Sequence, residues 1–177
     1  MDHGETVVRP AKRGDREALG RLGALLVGTH HGFDRDRFMA PGADVERGYG
    51  WFLGTQLRED DAAVFVAEQD GEVVGYVYAG LEPRSWKELR DAAGFVHDVV
   101  VDERARRSGV ARALLERAIE WLRERGAPRV MLWTAEQNRG AQELFAELGF
   151  RRTMIEMTRE LSDGSPPRGE RPKPRRR

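Results

Sequence analysis

A small-residue turn with a basic rim follows the apolar residues 99–101. Arg106, Gly109 and Ala111 have the spacing Arg-x-x-Gly-x-Ala and lead into helix-forming residues. The first N–H groups of a helix have no internal partner and carry partial positive charge, so an anion is stabilised there when no side chain blocks it. A guanidinium at the rim can pair with phosphate oxygens. The turn predicts a diphosphate site, or alternatively a strand–helix turn with solvated arginines, which so short a pattern does not exclude.

The turn differs from the two best-known phosphate loops. A Walker loop requires Gly-x-x-x-x-Gly-Lys-Ser/Thr, and a Rossmann turn requires Gly-x-Gly-x-x-Gly with an acidic residue about 20 positions later. Neither pattern occurs in the chain. The sequence therefore points to an anion site of another kind.

Hydrophobic periodicity predicts mixed α/β elements around the turn. The predicted order is a strand over 6–10, helices from about 15 and after 44, strands over 62–69, 72–81 and 95–101, a helix over 109–125, a strand over 129–134, a helix from 138 and a last strand over 150–161. Asp70-Gly71, between the second and third strands, is a strong signal for a tight hairpin. This order places the turn between a strand and the helix that follows it.

Length and composition indicate a single domain over residues 1–161. The chain has 177 residues, of which 40% are apolar, and it has no cysteine, which excludes disulfides, thiolate metal sites and a cysteine nucleophile. No apolar run approaches the roughly 18 residues of a membrane span. Residues 162–177 hold six basic and two acidic side chains and four prolines, which predicts a flexible basic tail. We expect a cytoplasmic protein without a membrane partner or a specific nucleic-acid partner.

Two motifs carry a resemblance to a known family. The turn resembles the acyl-CoA loop of the GNAT superfamily of N-acetyltransferases, Gln/Arg-x-x-Gly-x-Gly/Ala after a strand. The later run Asn138-x-x-Ala141-x-x-x-Phe145, followed by Gly149-Phe150, resembles that superfamily's closing motif. The resemblance spans roughly residues 6–160. It implies an α/β GNAT fold, with a mostly antiparallel sheet of six to seven strands, four flanking helices, and strands that splay at the acetyl-CoA site.

The same resemblance implies acetyl-CoA as co-substrate and no metal. The diphosphate would lie on the turn, at Arg106, Arg107, Ser108, Gly109, Val110, Ala111 and Arg112. The pantetheine would lie along Val99, Val100 and Val101, and an N–H near Val99 or Val100 would polarise the thioester carbonyl. Asn138, Ala141 and Phe145 would approach from the other side.

Attack of an amine on a thioester requires a neutral nitrogen, so a base must first remove a proton. His97 and Asp98 occupy strand positions where family members place a histidine or a carboxylate for this purpose. Adjacent strand residues face opposite sides unless a bulge intervenes, so we expect only one of the two in the cleft. We favour His97 as the base because its ordinary pKa of about 6.5 is near working pH. Asp98 would then attract the cationic amine, and a purely structural role for either residue stays open.

The closing motif departs from the family at Phe145, where many members carry a tyrosine that protonates the departing thiolate. Phenylalanine donates no proton. Either the thiolate leaves unassisted, or Tyr76, Tyr78 or water replaces the tyrosine. Phe145 would then pack on the pantetheine.

The sequence gives the least information about the molecule that accepts the acetyl group. Family members build its pocket from the first two helices with their connecting loop, here 30–34, and from a loop over 82–93. The adjacent His30 and His31 are expected to be an exposed loop pair rather than metal ligands, since no metal-ligand spacing accompanies them. The resemblance implies a homodimer that acetylates a small cationic amine, such as an aminoglycoside-like antibiotic or a polyamine, or a protein amine. The alternative is a non-catalytic acyl-CoA-binding or interaction module.

Overall fold

A five-stranded sheet with helices on both faces forms the centre of the molecule. The computed structural model describes residues 5–161, and the predicted basic tail at 162–177 lies outside the described residues. The elements are β1 (Val7–Pro10), α1 (Arg16–Phe33), α2 (Val45–Gln56), β2 (Ala62–Gln69), β3 (Glu72–Glu82), β4 (Ala93–Val101), α3 (Val110–Glu124), β5 (Val130–Leu132) and α4 (Arg139–Glu147), with short 3₁₀ turns at Arg13–Asp15 and Glu103–Ala105. None of the helices between residues 5 and 161 is long and apolar enough to cross a membrane.

The strands follow one another in the sheet in chain order, from β1 to β5. The first three pairings are antiparallel, and β4 pairs with β5 in parallel. The predicted mixed α/β fold, with a mostly antiparallel sheet and four helices, is therefore confirmed. The predicted Asp70-Gly71 hairpin is also confirmed: φ is 50° at Asp70 and 80° at Gly71, as a type I′ turn requires.

The prediction of six to seven strands is wrong for the described chain, which has five. Residues 150–161 form no strand, and every side chain from 151 to 161 is exposed. A segment forms a strand only when a neighbouring strand pairs with its backbone N–H and C=O groups. The sequence of the segment alone does not show whether such a neighbour exists. The predicted strand over 129–134 is also too long, because only Val130–Leu132 pair.

The sheet separates two apolar clusters. On one face α3 and α4 pack through Leu114, Leu122 and Phe145. On the other face α1 and α2 pack through Leu19 and Leu53. The α1–α2 contact is close because Gly23 faces the ring of Tyr49: a Cβ at Gly23 would lie 2.1 Å from Tyr49 Cδ1. Tyr49 of α2 also reaches β4, where its hydroxyl donates to Asp98 Oδ2 at 2.6 Å.

Candidate active site

The edge of β4 is open over its second half. β5 pairs with β4 only from Gly94 to Val96, and β4 continues alone on that side to Val101. β5 is paired along its whole length and ends at Leu132, so the edge of β4 is open where the resemblance implies splayed strands. We call the space beside this open edge the slot, and the backbone groups of β4 that face it have no strand partner among residues 5–161.

The register determines which groups face the slot. Asp102 N donates to Val74 O at 2.8 Å, and hydrogen-bonded pairs alternate along an antiparallel ladder. The pairing of Val100 with Tyr76 therefore turns the Val100 amide toward β3, while Val99 and Val101 turn theirs toward the slot. Arg106 Nε reaches Val101 O from that side at 3.4 Å. Of the two amides considered for polarising a thioester, the register favours Val99.

The turn after β4 presents a row of free donors. Within residues 5–161, none of the six backbone N–H groups from Arg107 to Arg112 donates a hydrogen bond. Gly109 is the N-cap of α3 with φ of 86°, and a Cβ placed there would meet no atom within 4 Å, so this position in front of the helix is open. Unpaired N–H groups at a helix N-terminus stabilise an anion.

The side chains of the turn have partners of their own. Arg106 lies 3.5 Å from Glu103, and Arg112 pairs with Glu147 of α4. The Ser108 hydroxyl donates to Ala105 O at 2.7 Å. The backbone, more than these side chains, is what the turn offers to a diphosphate.

The closing motif organises α4. Asn138 Oδ1 accepts from Ala141 N at 3.3 Å and caps the helix. Phe145 is 7% exposed and packs edge-on against Phe150, with 6.0 Å between ring centroids. The structure thus gives Asn138, Ala141 and Phe145 a packing role, and their contact with a pantetheine stays a prediction.

A β-bulge places His97 and Asp98 on the same face of the sheet. Tyr78 pairs with Asp98 and the next residue of β3 pairs with Val96, so His97 is an extra residue. The His97 ring stacks on Tyr78, and Asp98 accepts from Tyr76, both on the α1–α2 face. The expectation that only one of the two enters the cleft is therefore wrong, because the extra residue resets the alternation of β4.

The surroundings of His97 favour the neutral form of its ring. Its ring lies between Tyr78 and Phe95, at centroid distances of 4.7 and 5.0 Å. Burial lowers the pKa of His97, and the nearby Glu82 opposes that shift. His97 Nε2 lies 3.2 Å from Glu82 Oε1, while Nδ1 has no hydrogen-bond partner among residues 5–161. An Nε2–H directed at Glu82 leaves Nδ1 as the proton acceptor.

Asp98 is anchored by tyrosines. Its Oδ2 accepts from Tyr49 OH at 2.6 Å and from Tyr76 OH at 3.2 Å. Burial raises the pKa of Asp98, and the two hydrogen bonds oppose this. The sequence analysis did not identify Tyr49 as a partner of Asp98, nor Glu82 as a partner of His97. Asp98 is thus better placed to anchor the two tyrosines than to exchange protons with an amine.

The tyrosines are poor replacements for a general acid. Burial raises the pKa of Tyr49, Tyr76 and Tyr78 above the ordinary value of 10, whereas an ordinary thiol has a pKa of about 8.5. Proton transfer from such a phenol to a thiolate is uphill. Tyr76 is also fully buried, and Tyr78 OH donates to Gln56. Unassisted departure of the thiolate, or protonation by water, is favoured.

The two adjacent histidines are neither exposed nor in a loop. They lie in the last turn of α1 and are half-buried, because the helix continues to Phe33. His30 Nδ1 lies 3.0 Å from Leu26 O, and its ring packs edge-on against Phe38. Among residues 5–161 no cluster of three or more metal-ligating side chains is present.

Asp98→Asn is expected to stabilise the fold at pH 7. The raised pKa of Asp98 means that the folded state disfavours the carboxylate, so its unfavourable contribution is present above that pKa and disappears below it. Asparagine keeps an oxygen for the two tyrosines. We expect a melting temperature that rises by roughly 2–4 °C per kcal/mol relieved at pH 7, and a smaller difference at pH 4. A decrease at pH 7, measured by calorimetry, would show that the charge is itself stabilising.

Several known proteins are similar to this chain. The model of the acetyltransferase (GNAT) family matches residues 29–150. An uncharacterized N-acetyltransferase of Archaeoglobus fulgidus is 30% identical over 143 residues, which are 80% of this chain and 92% of that protein. An uncharacterized N-acetyltransferase of Methanocaldococcus jannaschii is 35% identical over 100 residues, which are 56% of this chain and 44% of that protein. A mycothiol acetyltransferase of Thermomonospora curvata is 37% identical over 98 residues, 55% of this chain.

The chain thus spans less than half the length of some relatives, with 31% of the Thermomonospora protein covered. Solved structures share the fold. A mutant of a Bacillus halodurans protein has a TM-score of 0.74 at 20% identity, covering 88% of this chain and 99% of that one. The enzyme AAC(6')-Iy, in complex with a bisubstrate analogue of CoA and acetylneamine, has a TM-score of 0.67 at 19% identity, covering 90% of this chain and 99% of that one.

Proposed function

This chain belongs to the acetyltransferase (GNAT) family, and from that premise we propose that it transfers an acetyl group from acetyl-CoA to a primary amine by direct attack. The observation that carries the proposal is the free edge of β4 beyond Val96, which leads into the row of unpaired N–H groups from Arg107 to Arg112. A pantetheine laid along that edge would have its diphosphate on the turn.

The residues beside the edge suit the chemistry. The amine nitrogen would form a bond to the thioester carbonyl carbon, and the C–S bond would then break. The Val99 N–H would stabilise the oxyanion of the tetrahedral intermediate, and His97 Nδ1 would accept the proton that the amine loses. The thiolate would take its proton from water, since Phe145 has none to give.

The acceptor that fits best is a small cationic amine or a protein amine. Glu82 and Asp98 place two carboxyl groups beside His97, and these favour a positive charge in the cleft. One structural neighbour binds an aminoglycoside-type analogue, and several relatives are named mycothiol acetyltransferases. Both observations add candidate amines for the acceptor. Antibiotic resistance is one role that an aminoglycoside acceptor would imply.

Thiol release from acetyl-CoA across a panel of amines tests the proposal. The panel contains an aminoglycoside, a polyamine, a lysine peptide and the substrate of the mycothiol acetyltransferases. We expect release above the hydrolysis background with at least one class. Tight acetyl-CoA binding without release for any amine would favour the alternative of a non-catalytic acyl-CoA-binding module, for which the phenylalanine at position 145 is the supporting observation.

We also propose that the protein is a homodimer. The exposed segment 151–161 carries four large apolar side chains, Met154, Ile155, Met157 and Leu161, each at least 76% exposed, and such patches mark association surfaces. Ile155→Asp with Met157→Asp is expected to give a monomer by light scattering where the parent chain gives a dimer. Equal masses for the two proteins would contradict this. The cytoplasmic location remains a prediction.

A further inference from the structure

A cavity lies outside the acetyl-CoA turn and the β4 edge. It has a volume of about 300 Å³ between the start of α1 and the end of α2. Arg13, Arg16 and Arg58 line it together with Trp51. None of these residues takes part in the chemistry proposed above.

The three arginines have no acidic partners. Among residues 5–161, no carboxylate lies within 4.0 Å of the guanidinium of Arg13, Arg16 or Arg58, although many other arginines of the chain form ion pairs. Arg47, which lines a neighbouring cavity, pairs with Asp44 at 2.6 Å. Three like charges around one cavity repel one another unless an anion enters. The neighbouring cavity shares Arg13 and Arg16 but is also lined by Glu17 and Glu46, whereas no carboxylate of the described chain lines the cavity beside Arg58.

The stem of Arg16 lies beside glycines of α2. A Cβ at Gly50 would lie 3.5 Å from Arg16 Cγ, and one at Gly54 would lie 3.9 Å from Arg16 Cδ. The aliphatic stem of Arg16 thus crosses α2 over two residues without side chains. This packing brings Arg16 to the cavity that it lines.

Trp51 provides a flat apolar surface in the same cavity. The residue is 61% exposed. An indole beside several guanidinium groups suits a ligand that combines an aromatic ring with negative charge, because the ring stacks on the indole while the charge pairs with arginine.

We propose that this cavity binds a small phosphate monoester with a flat ring, of the nucleoside monophosphate class. The phosphate pairs with Arg13, Arg16 and Arg58, and the ring stacks on Trp51. The site is separate from the acetyl-CoA turn, so ligand binding here does not require the acetyl-transfer reaction.

Calorimetric titration of the full chain with AMP, adenosine and inorganic phosphate tests the site. Coenzyme A is kept in excess so that the acetyl-CoA turn is occupied, and a parallel titration of Gly109→Glu covers the case in which coenzyme A does not bind. We expect AMP to bind at least tenfold more tightly than adenosine or phosphate. Arg58→Gln and Trp51→Ala are each expected to weaken AMP about tenfold, and the matched control Arg47→Gln is expected to leave its affinity unchanged.

Two results would overturn the inference. One is the absence of AMP binding to the parent chain. The other is an affinity for AMP that Arg58→Gln and Trp51→Ala leave unaltered, or that inorganic phosphate alone equals. In either case the ring and the charge would not act together. Both altered side chains are exposed, and unchanged melting temperatures of the variants establish that any loss of binding is local.

Discussion

Gly109→Glu is expected to abolish acetyl-CoA binding while the fold persists. Gly109 is the N-cap of α3 at φ of 86° and lies among the N–H groups of the turn that donate no hydrogen bond within residues 5–161. A glutamate there would place bulk and negative charge where the diphosphate is expected, and the strain of the left-handed conformation would cost only about 1–2 kcal/mol. Calorimetric titration with acetyl-CoA measures the loss, which we expect to exceed a hundredfold.

Gly126→Glu is the matched control. Gly126 follows the other end of α3 at φ of 77°, and a Cβ there also meets no atom within 4 Å. The substitution adds the same charge and similar strain far from the turn, so we expect similar destabilisation and unchanged acetyl-CoA affinity. Micromolar binding by Gly109→Glu would contradict the assignment of the turn, as would an equal loss in the control.

His97→Gln is expected to lower kcat by about 10²–10⁴-fold, the range typical of a lost general base. Glutamine keeps a polar side chain next to Glu82 but has no nitrogen that accepts a proton at neutral pH. Steady-state kinetics with saturating acetyl-CoA measure the effect. Arg123→Gln is the control, because Arg123 lies on α3, on the opposite face of the sheet from His97, and within residues 5–161 pairs only with the exposed Glu120. A decrease of less than threefold for His97→Gln would exclude His97 as the base.

The pH dependence of kcat/KM provides a second test of His97. Burial lowers the pKa of His97 below 6.5, so the imidazole stays neutral down to that lower pKa and becomes protonated only beneath it. Activity due to the base is thus present above the lowered pKa and lost as pH falls through it. We expect an acid limb below pH 6.5 that is missing from the His97→Gln profile. An acid limb that persists in the variant would assign it to another group.

The parts of the fold that depend on local sequence were predictable. Asp70-Gly71 specifies its turn through two residues that tolerate positive φ, and the structure has that turn. The helix after Gly109 begins where small residues end and apolar periodicity starts. In both cases the physical cause lies within a few residues of the feature.

The parts that depend on distant residues were not predictable. The bulge at His97 exists only in relation to its partner Tyr78 on β3, and the sequence of β4 alone predicts strict alternation. Tyr49 reaches Asp98 because Gly23 allows α2 to approach α1. The last run, 150–161, contains apolar residues but has no strand beside it within the described chain.

A crystal structure with acetyl-CoA tests the central claim most directly. We expect diphosphate oxygens within hydrogen-bond distance of the N–H groups between Arg107 and Arg112, and the thioester oxygen at the Val99 amide beside His97. Acetyl-CoA bound anywhere other than the open edge of β4, or with its thioester remote from His97, would contradict the proposed acetyl-CoA site.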